Sequence, residues 1–293
     1  MHAMMFPGQG SQRPGMGEDL FDLADYTAIE PQVDALLGYS LRARCLDKAY
    51  VFSGTDVTQP CLYMVNALHG IRVLRSGVQI GCVAGHSLGE YNALQAAGVF
   101  DLLTGLRLVH KRGTLMAQAR GGAMTAVLGL SSATIVDLML GHGLDMIDVA
   151  NYNAPAQTVI SGPEAEVAQA TRIFESAGAT ACIRLPVSGA FHSRLMETAA
   201  RAFAGFIDAV DFQRPQIPVI SNVTGTFYPA KASSAVIASL LVRQIVRPVL
   251  WVKCVHSMLD AGATDFVEAG PGNVLMRLIP QIRAVGRTPA VVH

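Results

Sequence analysis

Cys82-Val83-Ala84-Gly85-His86-Ser87-Leu88-Gly89-Glu90-Tyr91-Asn92-Ala93-Leu94 decides the fold. Cys82–Gly85 is short and apolar, the pattern of a buried strand, and Ser87 to Ala97 carries a helical pattern. Between them, Gly85-His86-Ser87-Leu88-Gly89 matches G-x-S-x-G. A serine on a sharp strand-to-helix turn is crowded on both sides, and flanking glycines let the backbone pass. Such a turn exposes Ser87 Oγ above the sheet. It also leaves the Leu88 N–H free at the helix start to receive an oxyanion. The plainer reading makes Ser87 an ordinary helix N-cap.

Upstream, Ala3-Met4-Met5-Phe6 is another short apolar run, ended by the glycine-rich turn Pro7-Gly8-Gln9-Gly10-Ser11-Gln12. A helical pattern runs from about Glu18 to Leu37. A second begins where Thr58 can cap, with Pro60 in its first turn, and continues through Leu62, Val65, Leu68 and Val73. Recurring strand, turn and helix predict a mostly parallel sheet with helices on its faces. The middle of the chain reads differently. Ala123–Leu130, Met146–Asn151, Thr158–Ser161 and Ala181–Val187 look like strands, with helices to about Leu140 and from Pro163 to about Ala177. That order, β-α-β-β-α-β, is the split pattern of a ferredoxin-like unit. Beyond it, Ser193–Val210 is helical, Ile217–Ser221 extended, and Val236–Leu259 helical with a break at Pro248. Phe266-Val267-Glu268 is a last strand. The fold class is therefore α/β: a core of residues 1–122 and 189–293, interrupted by a ferredoxin-like subdomain over 123–188.

The composition narrows the function. With 293 residues, 51% hydrophobic and 15% charged, the chain is not a disordered, solvating sequence. Lys+Arg and Asp+Glu are both 22, so the cationic excess of a nucleic-acid binder or polybasic membrane protein is absent. Cys45, Cys61, Cys82, Cys182 and Cys254 are scattered, with no C-x-x-C, and read as reduced thiols of a cytoplasmic protein with no metal site. No signal peptide is recognisable at the N-terminus. The apolar stretch Val236–Val252 is interrupted by Arg243, Gln244, Arg247 and Pro248, unlike a membrane span of about 20 nearly uncharged residues.

A serine nucleophile needs a base. Among eight histidines, His86 adjoins Ser87, but in extended backbone it projects to the other side and reads as a packed core residue. His2 and His293 are terminal. His69, His110, His142 and His256 have no distinguishing context. His192 differs, because it follows the strand ending at Val187, in Ser188-Gly189-Ala190-Phe191-His192-Ser193, where a loop meets a helix. Spacing alone also permits a helix-start residue beside a capping Ser193. Arg112 lies on an apolar stripe of the helix from about Asp101 to Ala119, beside Gly105, Leu108 and Met116. A buried guanidinium needs a partner and suits a bidentate carboxylate. An internal Asp or Glu, or snorkelling to solvent, would satisfy it equally.

With these residues in place, the chain resembles the malonyl-CoA:acyl carrier protein transacylases and related polyketide synthase acyltransferases. The matching segments are Phe6–Gln12, Gly85–Glu90, Lys111–Met116, Gly189–Ser193, Ile220–Thr224, Gln244 before Pro248 and Trp251, and Glu268–Gly272. With Thr58-Gln59-Pro60 and Val65–Leu68, they look most like the discrete, trans-acting members of modular synthases. The resemblance implies a hydrolase-like core with a ferredoxin-like insert. It implies Ser87 as acylated nucleophile, His192 as general base and acid, and Gln9 and Leu88 as oxyanion-hole N–H donors. Arg112 would clamp the malonyl carboxylate. Phe191 would crowd the space an α-methyl needs. Gln244 would orient His192 through its main-chain carbonyl, in place of an acidic triad member. The implied partners are malonyl-CoA, as substrate, and an acyl carrier protein; no cofactor, metal, nucleic acid or membrane is expected, and the chain is expected to be monomeric. A serine hydrolase that clears acyl groups from carrier proteins or CoA is the alternative. Because carrier proteins are acidic, Arg72 with Arg75 and Arg194 with Arg201 are candidates for a cationic rim, or else simply solvated helix faces.

Overall fold

The computed structural model describes residues 1–187 and 189–285; Ser188 and His293 lie outside the described residues. Its strands in chain order are β1 (His2–Phe6), β2 (Ile80–Gly85), β3 (Gly122–Leu128), β4 (Asp148–Ala154), β5 (Gln157–Pro163), β6 (Ala181–Arg184), β7 (Val219–Ile220) and β8 (Asp265–Glu268). One sheet has the order β7-β2-β1-β8 and is parallel throughout. Strands covered on both faces read as continuous apolar runs, and Ala3, Met4, Met5 and Phe6 are fully buried. Phe6 pairs with Gly85, so β1 and β2 end side by side. The Gln9 turn and the Ser87 turn therefore leave the sheet together at its carboxyl edge, where α/β sheets bind ligands.

The second sheet has the order β4-β5-β3-β6 and is antiparallel. The helices Ser132–Gly141 and Glu164–Ser176 share a separate core with it, built on Val127, Ile135, Ile160 and Phe174. The whole is a mixed α/β molecule with a hydrolase-like parallel sheet and a distinct antiparallel unit. The two sheets are tied along β4. Tyr152 N–H donates to Val249 O at 2.9 Å and Val249 N–H to Ala150 O at 2.8 Å. Asp148 forms an ion pair with Arg194 at 2.6 Å.

Several element boundaries differ from the sequence reading. The pattern over Glu18–Leu37 splits into the helices Ala24–Thr27 and Glu30–Leu37, with Pro31 in the first turn of the second. A proline has no N–H to continue a helix and restricts the residue before it. The Thr58 helix begins earlier, at Thr55 with Gly54 as N-cap, so Pro60 is interior rather than in the first turn. Thirteen of its residues are buried, and that packing offsets the lost bond. Strand β6 stops at Arg184 rather than Val187, ahead of Pro186. The break expected at Pro248 is present, and Val236–Leu259 divides into the helices Ser234–Gln244 and Trp251–Asp260. The gap between them carries the Val249 bridge to β4. Arg72, Arg75 and Arg194 are held by Asp19, Asp25 and Asp148, which supports the solvated-face reading over a free cationic rim.

Candidate active site

Ser87 and His192 are the only described non-glycine residues with positive φ, at 50° and 57°. This left-handed conformation costs on the order of 1–3 kcal/mol per residue and persists where surrounding bonds over-determine it. At Ser87 those bonds are two side-chain amides. Asn222 Oδ1 accepts the Ser87 N–H at 2.7 Å, and Gln244 Nε2 donates to the Ser87 carbonyl at 3.0 Å. The motif glycines are there for space. A Cβ on Gly85 would lie 1.9 Å from the Gly89 carbonyl, and one on Gly89 would lie 2.1 Å from Phe6 O. The serine is thus lifted off β2 by steric necessity, and the helix Gly89–Ala96 begins immediately behind it.

His192 Nε2 lies 2.8 Å from Ser87 Oγ. Its Nδ1 faces two carbonyls, Gln244 O at 2.8 Å and Arg247 O at 3.2 Å. Carbonyls only accept, so Nδ1 carries the proton and the Nε2 lone pair points at the serine hydroxyl. Burial first, then the Arg112 charge, push the imidazole from 6.5 down to about 3. It is neutral, and able to accept a proton, across the physiological range.

Arg112, on the helix Leu102–Ala117, is 1% exposed. Neither alternative from sequence holds, since it does not snorkel and none of its hydrogen-bond partners is an acid. Nη1 donates to Gln59 Oε1 at 2.9 Å, and Nη2 to Ser87 Oγ and Gln244 Oε1, both at 3.1 Å. Nε has no partner, and the guanidinium sits 5.6 Å from the Tyr91 ring centroid. A buried cation surrounded by neutral groups is costly unless an anion completes it.

These groups face one cavity of about 130 Å³, shared with Gln9, Leu88, Met116 and Phe191. The backbone N–H groups of Gln9 and Leu88 donate to nothing among the described residues, which leaves both available to an incoming oxygen. A wider cleft of about 640 Å³ touches His192 from the side of Leu140, Tyr152 and Arg247 but does not reach Ser87. Among the described residues no His, Cys, Asp and Glu cluster could hold a metal ion, and no helix is long and apolar enough to cross a membrane.

Of the seven residues expected at the site, Ser87, His192, Arg112, Gln9, Leu88 and Phe191 line this cavity, and Gln244 joins them through its bonds to Arg112, His192 and Ser87. His86 is packed, as expected: its ring bonds Asn153 at 2.8 Å and lies 5.6 Å from Trp251, although the residue also borders the cavity. Glu90, Gln59 and Asn222 were not expected as site residues. The available signal was a polar side chain inside an otherwise apolar pattern, which in a buried element demands a partner.

A hydroxyl with a neutral imidazole on one side and unspent amides nearby can take up an acyl group and pass it on, the chemistry of α/β serine acyltransferases and hydrolases. The chain belongs to the acyl transferase domain family, whose model matches residues 4–285. It is 45% identical over 286 residues to a polyketide biosynthesis malonyl CoA-acyl carrier protein transacylase of Bacillus velezensis, covering 97% of each. It is also 45% identical to the polyketide biosynthesis protein PksE of Bacillus subtilis, covering 97% of this chain but 36% of that longer one. Among solved structures, a malonyl CoA-acyl carrier protein transacylase from Burkholderia pseudomallei matches with TM-score 0.91 and 43% identity, over 98% of this chain and 99% of the other.

Proposed function

We propose that this chain transfers a malonyl group from malonyl-CoA to the phosphopantetheine thiol of an acyl carrier protein. It is read as a discrete, trans-acting enzyme of polyketide or fatty-acid synthesis in the cytoplasm, an acyl-carrier-protein S-malonyltransferase. One observation carries the substrate class: a buried guanidinium without an acidic hydrogen-bond partner, 3.1 Å from the candidate nucleophile. An acyl donor bearing a carboxylate supplies the missing anion, and an acetyl group does not.

In the first half-reaction, Ser87 Oγ attacks the thioester carbonyl while His192 Nε2 takes its proton. The tetrahedral oxyanion sits on the Gln9 and Leu88 N–H groups, and the C–S bond breaks as His192 returns the proton to the CoA sulfur. In the second, the carrier thiol gives its proton to His192 and attacks the serine ester. The oxyanion collapses to a new thioester, and Ser87 regains its proton. Arg112 holds the malonyl carboxylate throughout, so the reacting carbonyl stays over the N–H pair. The Gln244 and Arg247 carbonyls stabilise the transient imidazolium in place of a carboxylate. Phe191, 5% exposed and on the cavity wall, crowds the space beside the α-carbon and favours malonyl over methylmalonyl.

The test is intact-mass analysis after incubation with malonyl-CoA, followed by addition of a holo carrier protein. A malonyl adduct is expected on Ser87, absent in Ser87→Ala, and discharged onto the carrier. An adduct elsewhere refutes the mechanism. Free malonate as the main product, with the carrier present, moves the reading to a hydrolase.

A further inference from the structure

Glu90 is fully buried, three residues beyond Ser87 on the helix that starts at Gly89. Its carboxylate receives three donors. Tyr228 OH gives to Oε1 at 2.6 Å, and Gln244 Nε2 and the Asn222 N–H give to Oε2 at 2.5 and 3.2 Å. Burial pushes its carboxyl above the usual range while these donors oppose the shift.

The amide of Gln244 lies between Glu90 and Arg112. A carboxylate only accepts and a guanidinium only donates. Gln244 therefore has one allowed orientation, its Nε2 toward Glu90 and its Oε1 toward Arg112. Glu90 and Arg112 are thus coupled through a neutral amide rather than by contact. A direct ion pair would occupy the guanidinium fork and neutralise it. The amide takes a single Nη2 hydrogen and leaves the guanidinium charge unneutralised.

We propose that Glu90 is a positioning residue for the substrate carboxylate. By orienting Gln244 it aims Arg112 at the cavity and sets the preference for carboxylated over uncarboxylated acyl donors. This rests on the reading of Arg112 as the malonyl clamp. Glu90 touches no reacting atom; its action runs through the amide.

The experiment measures kcat/KM for malonyl-CoA and acetyl-CoA in the full chain, with thermal melts as a folding control. Glu90→Leu removes every acceptor at similar volume. Losing an orienting hydrogen bond to a charged group is worth roughly 10–100-fold, so the malonyl-to-acetyl ratio is expected to fall by about that factor. Glu90→Gln keeps the ratio, because the Asn222 and Gln244 donors force its amide oxygen to the Oε2 position and its Nε2 faces the Tyr228 oxygen. Gln244→Leu lowers the ratio as Glu90→Leu does. In Gln244→Leu, the further change Glu90→Leu leaves the ratio where it is. That double variant removes the Gln244 donor together with its acceptor, which leaves only the Tyr228 hydroxyl and the Asn222 N–H to be resatisfied. It keeps the test open should Glu90→Leu alone not fold, since replacing a pair is gentler than orphaning one member. A purely structural Glu90 lowers the melting temperature and both substrates alike. That result overturns the proposal, as does a Glu90→Gln chain that loses the preference. A parent chain showing no malonyl preference refutes instead the underlying reading of Arg112.

Discussion

Replacing Arg112 with methionine keeps much of the side chain's length and removes its charge and every donor. A guanidinium has five N–H groups. Three bonds, to Gln59, Ser87 and Gln244, are already made and use both Nη2 hydrogens. A bound carboxylate therefore displaces the Ser87 contact and grips that hydrogen with one of the two unused N–H groups, two bonds in all. Hydrogen bonds to charged groups contribute about 1.5–3 kcal/mol each, so two contribute roughly 3–6 kcal/mol. At about 1.4 kcal/mol per decade, Arg112→Met is expected to lower the malonyl-to-acetyl ratio of kcat/KM by roughly 10²–10⁴-fold. The Arg112–Ser87 bond of the free enzyme is common to both donors and cancels in the ratio. The assay is steady-state transfer to a holo carrier protein from each CoA ester, with product read by intact mass. A second readout is built into the site. Because the Arg112 charge helps to depress the His192 pKa, the acid limb of kcat/KM should move upward in Arg112→Met. Equal losses for both donors, with an unmoved acid limb, would refute the clamp.

The remaining expectations concern the cavity wall and the base. Phe191→Ala should raise methylmalonyl relative to malonyl use by about 10–200-fold, the worth of one methyl in an apolar pocket; competition between the two CoA esters checks it, and an unchanged ratio removes Phe191 from selection. His192 folds with its pKa lowered to about 3. The unfolded chain therefore binds a proton that the folded chain does not between about pH 6.5 and 3, and stability falls as pH drops through that window, by up to about 1.4 kcal/mol per unit from this group. Chemical denaturation of the parent and His192→Gln at pH 7 and pH 5 tests the sign: the parent should lose more stability between the two.

The site depends on polar groups solved within a buried network rather than on charges meeting directly. Ser87 has its N–H and carbonyl held by Asn222 and Gln244, and His192 is held by main-chain carbonyls. The two strained backbones at Ser87 and His192 are the residues those contacts clamp. Preorganised dipoles of this kind cost no rearrangement when charge develops during reaction.

The local sequence determined what depends on neighbours along the chain. The apolar run before Gly85, the two glycines and the helical pattern behind Ser87 sufficed for strand, turn and helix, because a Cβ at either glycine meets backbone at about 2 Å. The β-α-β-β-α-β order over the middle was legible for the same reason. Convergence depended on tertiary structure: Ser87 and His192 lie 105 positions apart, and Arg112 and Gln244 lie 132 apart. Only the parallel order β7-β2-β1-β8 and the β4 bridge draw these segments to one edge. The partners of Arg112 were equally undetermined along the chain. Spacing allowed an internal acid or exposure to solvent, and packing placed two amides and the serine there instead. A side chain's partners depend on which distant segments the fold stacks against it, and no local periodicity encodes that distance.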